Sequence, residues 1–365
     1  MHIVSQTTIM EIAKRCFFRA FLDAINPYAW VMDCRNRAFD TGMLKSRSFG
    51  IPTICIGNIS VGGTGKTPHT EYIIRLLREH HRTAVLSRGY GRKSKGYIKA
   101  DAEATMQLIG DEPFQIKNKF KDLSVAVCEK RVEGIEKLTA EDPELQVILL
   151  DDAYQHRYVN AGLKILLIDS NRPVWKDNVM PFGRLRESIG GIGRADIVIV
   201  TKCRELTPRM ERYYKERIRR YKEMPVYFST VRYGMPYPIF GKMTDKAEIA
   251  TGSRILLVTG IAGPQPLRAE IEKRGADVTL MQYPDHHDFS TADLAEIAKR
   301  YKALDCSMIL TTEKDATRLL YRNDIPGEIR DSIYALPIEI KILNGEEDMF
   351  NQNIIDYVTE NSRNR

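Results

Sequence analysis

Between Gly57 and Pro68 the chain reads GNISVGGTGKTP, a glycine-rich turn closed by Gly65, Lys66 and Thr67. Glycines let successive backbone N–H groups turn inward around phosphate oxygens. A helix that begins where such a turn ends points its positive pole at the anion. Lys66 is placed to reach the β- and γ-phosphates of a nucleoside triphosphate, and the Thr67 hydroxyl is a ligand for Mg²⁺. Ser60 stands where the first glycine of the usual pattern falls, so Gly62 and Gly63 supply the freedom the turn needs. Ser60, Val61, Gly62, Gly63, Thr64, Gly65, Lys66 and Thr67 are therefore expected to hold a nucleotide.

Four further clusters can do chemistry beside such a loop. VILLDDAYQH, Val147 to His156, is an apolar run ending in acids; Asp151 or Asp152 is the strand-end carboxylate that a phosphate-binding loop pairs with Mg²⁺. GDEP, Gly110 to Pro113, offers Asp111 as a base for an acceptor hydroxyl, although acids also favour helix starts for electrostatic reasons alone. YPDHHDF, Tyr283 to Phe289, sets two histidines between Asp285 and Asp288; such an imidazole acts as a base, binds metal or simply faces water. FGRLRE, Phe182 to Glu187, carries Arg184 and Arg186, and an arginine near a γ-phosphate stabilises the charge that develops in transfer. Guanine-specific relatives of this loop use Asn-Lys-x-Asp after a strand. Here Thr201-Lys202-Cys203-Arg204 follows IVIV without the aspartate, which favours adenine.

These residues need a scaffold that delivers them to one edge. Ile51–Gly57, Thr83–Leu86, Val125–Cys128, Val147–Leu150, Ile165–Ile168 and Ile197–Val200 are short, mostly continuous apolar runs with helical stretches between several of them. Strands buried on both faces read this way, and they predict a doubly wound, mostly parallel α/β sheet of the P-loop NTPase class. A Pro- and Gly-rich stretch, Tyr233 to Gly241, reads as a linker. Beyond it, strands Ile255–Thr259, Val278–Met281 and Met308–Thr311 alternate with helices Gln265–Arg274 and Thr291–Leu304, predicting a second, smaller α/β domain. The expected division is 1–232, linker 233–241, 242–340, and a last strand (Ile338–Leu343) and tail over 341–365, with the first domain as one place for them to return. The tail after Asn351 is expected to fray.

Ile9 to Met32 is an aromatic, basic, helical segment that Asn26-Pro27 divides; it suits a membrane interface as well as it suits packing on its own domain. The chain has 55 basic and 48 acidic residues, net +7, a mild excess that fits polyanionic small molecules or an anionic lipid surface, and no nucleic-acid module accompanies it. Six scattered cysteines without a C-x-x-C pair argue against disulfide frameworks and zinc. No membrane-spanning run and no signal peptide are evident, which predicts a cytoplasmic protein.

In order along the chain, Gly57–Pro68, Ser87–Arg92 (SRGYGR), Gly110–Pro113, Asp151–His156, Leu185–Glu187 and Asp285–His287 resemble the motifs of the tetraacyldisaccharide 4′-kinases of lipid A synthesis. Ala153 replaces the glycine of that family's DDG-x-QH. The resemblance spans nearly the whole chain and implies transfer of the γ-phosphate of ATP, with Mg²⁺, to the 4′-hydroxyl of an acylated disaccharide 1-phosphate, giving lipid IVA. It implies that Asp111 is the base and His286 its partner. It assigns Asp151 and Asp152 to the metal, with Glu112 assisting. Gln155, Arg186 and Glu187 match further active-site positions, the last of them and Gln155 on the nucleotide. It also implies a membrane-contacting N-terminal helix and a peripheral place on the cytoplasmic face of the bacterial inner membrane. A P-loop transferase with a soluble acceptor and a nucleotide-driven switch ATPase are the competing readings.

Overall fold

The computed structural model describes Leu22, residues 24–285 and residues 287–362. Its strands, in chain order, are β1 (Thr53–Gly57), β2 (Thr83–Ser87), β3 (Ile98–Lys99), β4 (Ser124–Val127), β5 (Val147–Asp151), β6 (Leu163–Asp169), β7 (Ile197–Thr201), β8 (Val226–Tyr233), β9 (Tyr237–Pro238), β10 (Arg254–Thr259), β11 (Asp277–Gln282), β12 (Met308–Thr312), β13 (Ile333–Leu336) and β14 (Ile338–Ile342). The principal helices are α1 (Pro27–Asp40), α2 (Lys66–Arg78), α3 (Asp111–Lys119), α4 (Arg131–Glu141), α5 (Pro208–Arg219), α6 (Gln265–Lys273), α7 (Thr291–Ala303), α8 (Glu313–Leu319) and α9 (Glu347–Ser362).

The larger sheet has the order β14-β8-β7-β6-β1-β5-β2-β4-β3. It is parallel except at its two edges, where β14 runs against β8 and β3 against β4. Alternation along each strand feeds two cores. Ile54 and Ile56 of β1 join Ile73, Ile74 and Leu77 of α2 on one face, while Cys55 joins Leu86, Ile148 and Leu150 on the other. Both faces are therefore dry, which is why these strands are continuous apolar runs rather than alternating ones. The second sheet, β11-β10-β12-β13-β9, follows the same rule: Leu256 and Val258 face one core and Ile255 and Leu257 the other. Strand β1 lies between β5 and β6, so the turn after β1 opens beside the acids that end β5, at the carboxyl edge where open α/β sheets bind ligands.

Three expectations change. The stretch Tyr233–Gly241 is not simply a linker, because β8 runs to Tyr233 and Tyr237 and Pro238 pair with Ala335 and Tyr334 of β13; proline is tolerated there because this is a sheet edge. The tail does not fray through its described length. Phe350, Ile354 and Val358 recur at helical spacing and are buried against the larger sheet, so α9 is a packed helix whose polar residues occupy its outer face. The expected boundary at 340 falls inside β14, which hydrogen-bonds to β8 from Ile338 onward.

Of the N-terminal segment, residues 9–21 lie outside the described residues. Asn26 starts α1: its side chain accepts from Tyr28 and Ala29 N–H and donates to Val179 and Met180 carbonyls. The helix continues to Asp40, past the expected end at Met32.

Candidate active site

The phosphate-binding turn is built from both sides. Gly65 adopts φ 89° at the start of α2, a conformation that L side chains rarely take. Thr64 N–H donates to the Gly62 carbonyl at 2.9 Å. The Thr64 hydroxyl accepts from buried Asn58 at 2.7 Å, and the Thr64 carbonyl accepts from the Thr201 hydroxyl at 2.9 Å. Val61 N–H donates to the Arg184 carbonyl and Arg186 N–H to that of Ile59, so the FGRLRE stretch is strapped to the turn. His69 lies one helical turn further on, buried, with Nδ1 2.7 Å from the Gly65 carbonyl and Nε2 2.9 Å from the Ser229 hydroxyl. Burial lowers its pKa to about 4, so the ring is neutral at pH 7: Nδ1–H donates to the carbonyl and Nε2 accepts from Ser229.

Opposite the turn stand the acids. Asp152 takes a left-handed conformation, φ 45°, and its carboxylate is held by Arg186 at 3.0 Å with Lys66 Nζ at 3.6 Å. Ala153 is not among the residues with positive φ; the strained position of the DDAYQH turn is Asp152, so alanine at 153 leaves the turn intact. Asp151 is fully buried and accepts from the Thr70 hydroxyl at 2.9 Å through Oδ1, while Oδ2 has no hydrogen-bond partner among the described residues. Burial raises its pKa to about 7, the charges of Glu112 and Asp152 adding to the effect and Lys66 opposing it. An orphaned carboxylate oxygen among acids, below a threonine hydroxyl, fits a divalent cation. Among the described residues no three His, Cys, Asp or Glu side chains form a cage of their own. Mg²⁺ needs no such cage, because it takes one or two carboxylates and completes its shell with phosphate oxygens and water.

The phosphate turn, Asp152 and Arg186 line a cleft of about 780 Å³ between the two sheets. Val61 to His69, Asp111, Glu112, Asp152 and Arg186 line it from the larger sheet; Ile261, Asp285, Thr312 and Lys314 line it from the smaller. Asp111 begins α3 directly after Gly110, whose φ of 89° and close approach to the Tyr90 carbonyl admit no side chain. The Asp111 carboxylate is ion-paired with Arg318 of α8.

His286 lies outside the described residues. Its neighbours differ in role. Asp285 lines the cleft, 3.3 Å from Lys314 Nζ. His287 stacks on Tyr283 and bonds Asp293 at 2.9 Å, inside the box that caps α7, so it serves the fold. Ser60, Asp151, Gln155 and Glu187 do not line the cleft. Ser60 forms a bridge with Leu185. Gln155 donates to the Asn58 carbonyl at 2.8 Å and to Glu187 at 2.7 Å. Buried Glu187 also accepts from Asn36 of α1 and from Arg194. This network braces the base of the phosphate turn from behind.

Sequence reasoning missed the contribution of α8. Its start, Thr312-Glu313-Lys314-Asp315, is a side-chain cap, Thr312 accepting from Asp315 N–H, that directly follows the strand β12. That arrangement of a buried strand running straight into a charged, capped turn is the signal that marks it in the sequence.

The fold and this site define a nucleotide-dependent P-loop phosphotransferase. A family model described as tetraacyldisaccharide-1-P 4′-kinase matches residues 21–359. The tetraacyldisaccharide 4′-kinase of Bacteroides thetaiotaomicron is 47% identical over 350 residues, covering 92% of each chain; that of Bacteroides fragilis strain YCH46 is 48% identical over 351 residues, covering 93% of each. Among solved structures, the apo form of LpxK from Aquifex aeolicus in complex with ATP superposes with a TM-score of 0.71 at 26% identity, covering 93% of this chain and 99% of that one. The chain belongs to the tetraacyldisaccharide-1-P 4′-kinase family. Among the described residues no helix is long and apolar enough to cross a membrane.

Proposed function

We propose that the chain transfers the γ-phosphate of ATP to the 4′-hydroxyl of a tetraacyldisaccharide 1-phosphate at a membrane surface, with Asp111 as the base and His286 as its partner. The observation that carries the residue assignment is that Asp111 and the Asp285 end of the DHH stretch line the same cleft as the phosphate turn. The turn's N–H groups, Lys66 and the positive end of α2 bind the β- and γ-phosphates. Thr67, Asp151 and Asp152 would hold Mg²⁺ with Glu112 assisting, and the ion when bound neutralises charge on the phosphates. Arg186, fixed by Asp152, adds positive charge where it develops in the transition state. As the O4′–P bond forms, the hydroxyl proton passes to the Asp111 carboxylate, the bond to the β,γ-bridging oxygen breaks, and ADP leaves. Gln155 and Glu187 act on the nucleotide through the turn they brace.

The acceptor's chains belong in a bilayer. Trp30 and Val31 on α1 are 54% and 65% exposed, and Ile25 and Tyr28 nearby in the chain are exposed too; these apolar side chains support peripheral attachment to a membrane surface over a soluble acceptor, and the family's place on the cytoplasmic face of the inner membrane is the location we infer. The function is tested with labelled ATP, Mg²⁺ and an acylated disaccharide 1-phosphate. A second, 4′-linked phosphate is expected, and ATP hydrolysis that ignores the acceptor overturns the reading. Sedimentation with anionic liposomes tests the membrane part: the Val31→Glu protein should remain in the supernatant more than wild type.

A further inference from the structure

The base proposed above is held from the other half of the molecule. Asp111 stands at the first position of α3 and faces the cleft. Its Oδ2 receives a hydrogen bond from the guanidinium of Arg318, which is 207 residues away in the chain and only 5% exposed. The other arm of that guanidinium donates to Asp315 Oδ1 at 3.0 Å. Asp315 is completely buried, and its Oδ2 is itself fixed by three donors. The Thr259 hydroxyl reaches it at 3.0 Å, the Gly260 N–H at 3.0 Å and the Thr312 hydroxyl at 2.8 Å. Thr259 ends β10 and Thr312 ends β12. A continuous path of hydrogen bonds therefore runs from the carboxyl ends of the central strands of the second sheet, through Asp315 and Arg318, to the carboxylate of Asp111.

We propose that Arg318 is a positioning residue for phosphoryl transfer, setting the Asp111 carboxylate against the acceptor hydroxyl from the opposite wall of the cleft. The proposal rests on the reading of Asp111 as the base. A salt bridge kept for stability would not need this construction. The same two helices are already joined by Lys119 and Glu313 at 2.7 Å, and Tyr321, just past the end of α8, packs on Phe114 of α3 with ring centres 4.8 Å apart. What Arg318 adds is direction. A planar guanidinium anchored through one arm to a rigid carboxylate fixes the orientation of the other. Arg318 does not line the cleft, so it acts through Asp111 and does not bind the phosphates.

The experiment compares R318Q, R318K, D111N and the R318Q/D111N double variant in the full chain, measuring kcat, KM for ATP and KM for the acylated disaccharide, with a thermal melt of each. R318Q is expected to lose about tenfold to a hundredfold in kcat, the cost of a base displaced by a fraction of an ångström, with KM for ATP within about twofold of wild type. R318K, whose ammonium cannot span both carboxylates in the same geometry, should fall between R318Q and wild type. The double variant should be no slower than D111N, because a residue that works only through Asp111 has nothing left to position. Wild-type kcat in R318Q beside an inactive D111N overturns the role of Arg318 alone. So does a double variant slower than D111N by the full R318Q factor. Near-wild-type turnover in D111N overturns the underlying assignment of the base. If R318Q melts below the assay temperature, R318K decides: wild-type kcat and KM there overturn the proposal, and a kcat deficit at unchanged KM for ATP upholds it.

Discussion

In the proposed mechanism Lys66 is the residue on which phosphate binding depends most directly. Its side chain is almost fully buried at the head of α2, and its ammonium is 3.6 Å from Asp152, which Arg186 also holds. The ammonium is thus kept at the mouth of the turn by a single carboxylate that is shared with a stronger partner, and it can move onto phosphate oxygens without leaving a charge stranded. Lys66→Ala is expected to lower kcat/KM by at least two orders of magnitude, as is Asp111→Ala, in the usual range for losing a charge clamp or a general base. Steady-state kinetics with saturating acceptor checks both, and a loss under tenfold in either removes that residue from the mechanism. At this scale the sequence was most legible where chemistry is contiguous. The loop Gly62–Thr67, the paired Asp151-Asp152 and the GDEP acids announce themselves because each sits within a few residues of the strand or helix that presents it. Arg318 and Lys119 did not, since their partners Asp111 and Glu313 are 207 and 194 residues away. Nor did the division of labour between neighbours. Asp152 faces the cleft and Asp151 lies under it because β5 ends at Asp151 and the chain turns at Asp152 with φ 45°, and Gln155 and Glu187 look like ligands in the motif but bond to the loop and to each other in the fold.

At the scale of elements, α2 is fastened to β8 by a neutral histidine, which links the phosphate turn to the strand that leads out toward the second sheet. The His69 ring titrates near 6.5 when the chain is unfolded and near 4 when it is folded. Between those values the unfolded chain binds the extra proton, so the stability that the neutral ring contributes is complete above pH 6.5 and is lost as pH falls toward 4. His156, lowered to about 4 by burial and then by Arg131, Arg35 and Arg88, acts in the same direction. Lowering the pH from 7 to 5 should cost about 2 kcal/mol through His69 alone. Urea midpoints at pH 5, 6 and 7 measure it. Asp151, raised to about 7, acts in the opposite direction over this range, so the test is the difference between proteins: His69→Asn should lose about 2 kcal/mol of the pH 7 to 5 change relative to wild type, and an unchanged pH dependence refutes the assignment. The C-terminal helix makes a second case. Its polar tail looked dispensable because the apolar residues Phe350, Ile354 and Val358 are thinly spread; only the 3.6-residue period shows that they share a face. Ile354 is fully buried beside β14 and α2, so Ile354→Ala is expected to destabilise the chain by about 2 to 5 kcal/mol in urea unfolding. A change under about 0.5 kcal/mol would mean that α9 does not pack on the sheet.

On the scale of the whole molecule, the question is what joins two sheets around a cleft that must admit a nucleotide and a lipid head. β8 and β9 carry the chain across, β14 returns it, and between them lies a buried cluster. Lys119 of α3 sits 2.7 Å from Glu71 of α2 and 2.7 Å from Glu313 of α8. Gln115 donates to Glu71, and the Ile338 N–H at the start of β14 donates to Glu313. Burial pushes the Glu71 carboxyl above its ordinary range even with the ammonium beside it, so this cluster is a poor source of net stability compared with apolar packing. Its value is specificity of contact: one cation satisfies two carboxylates only when α2, α3 and α8 stand in a single arrangement, the arrangement that also places Arg318 on Asp111. Lys119→Met should therefore cost about 3 to 5 kcal/mol, because buried Glu313 loses the ammonium and buried Glu71 is left with the more distant Arg75 at 3.7 Å. Adding Glu313→Gln to it should restore part of that loss, since one of the stranded charges is then gone. Urea unfolding of the two proteins tests the pair. If the single variant is as stable as wild type, or if the second substitution lowers stability further, the cluster is not what fixes the two sheets against each other. The position of Asp111 would then have to be explained by α3 and α8 packing alone.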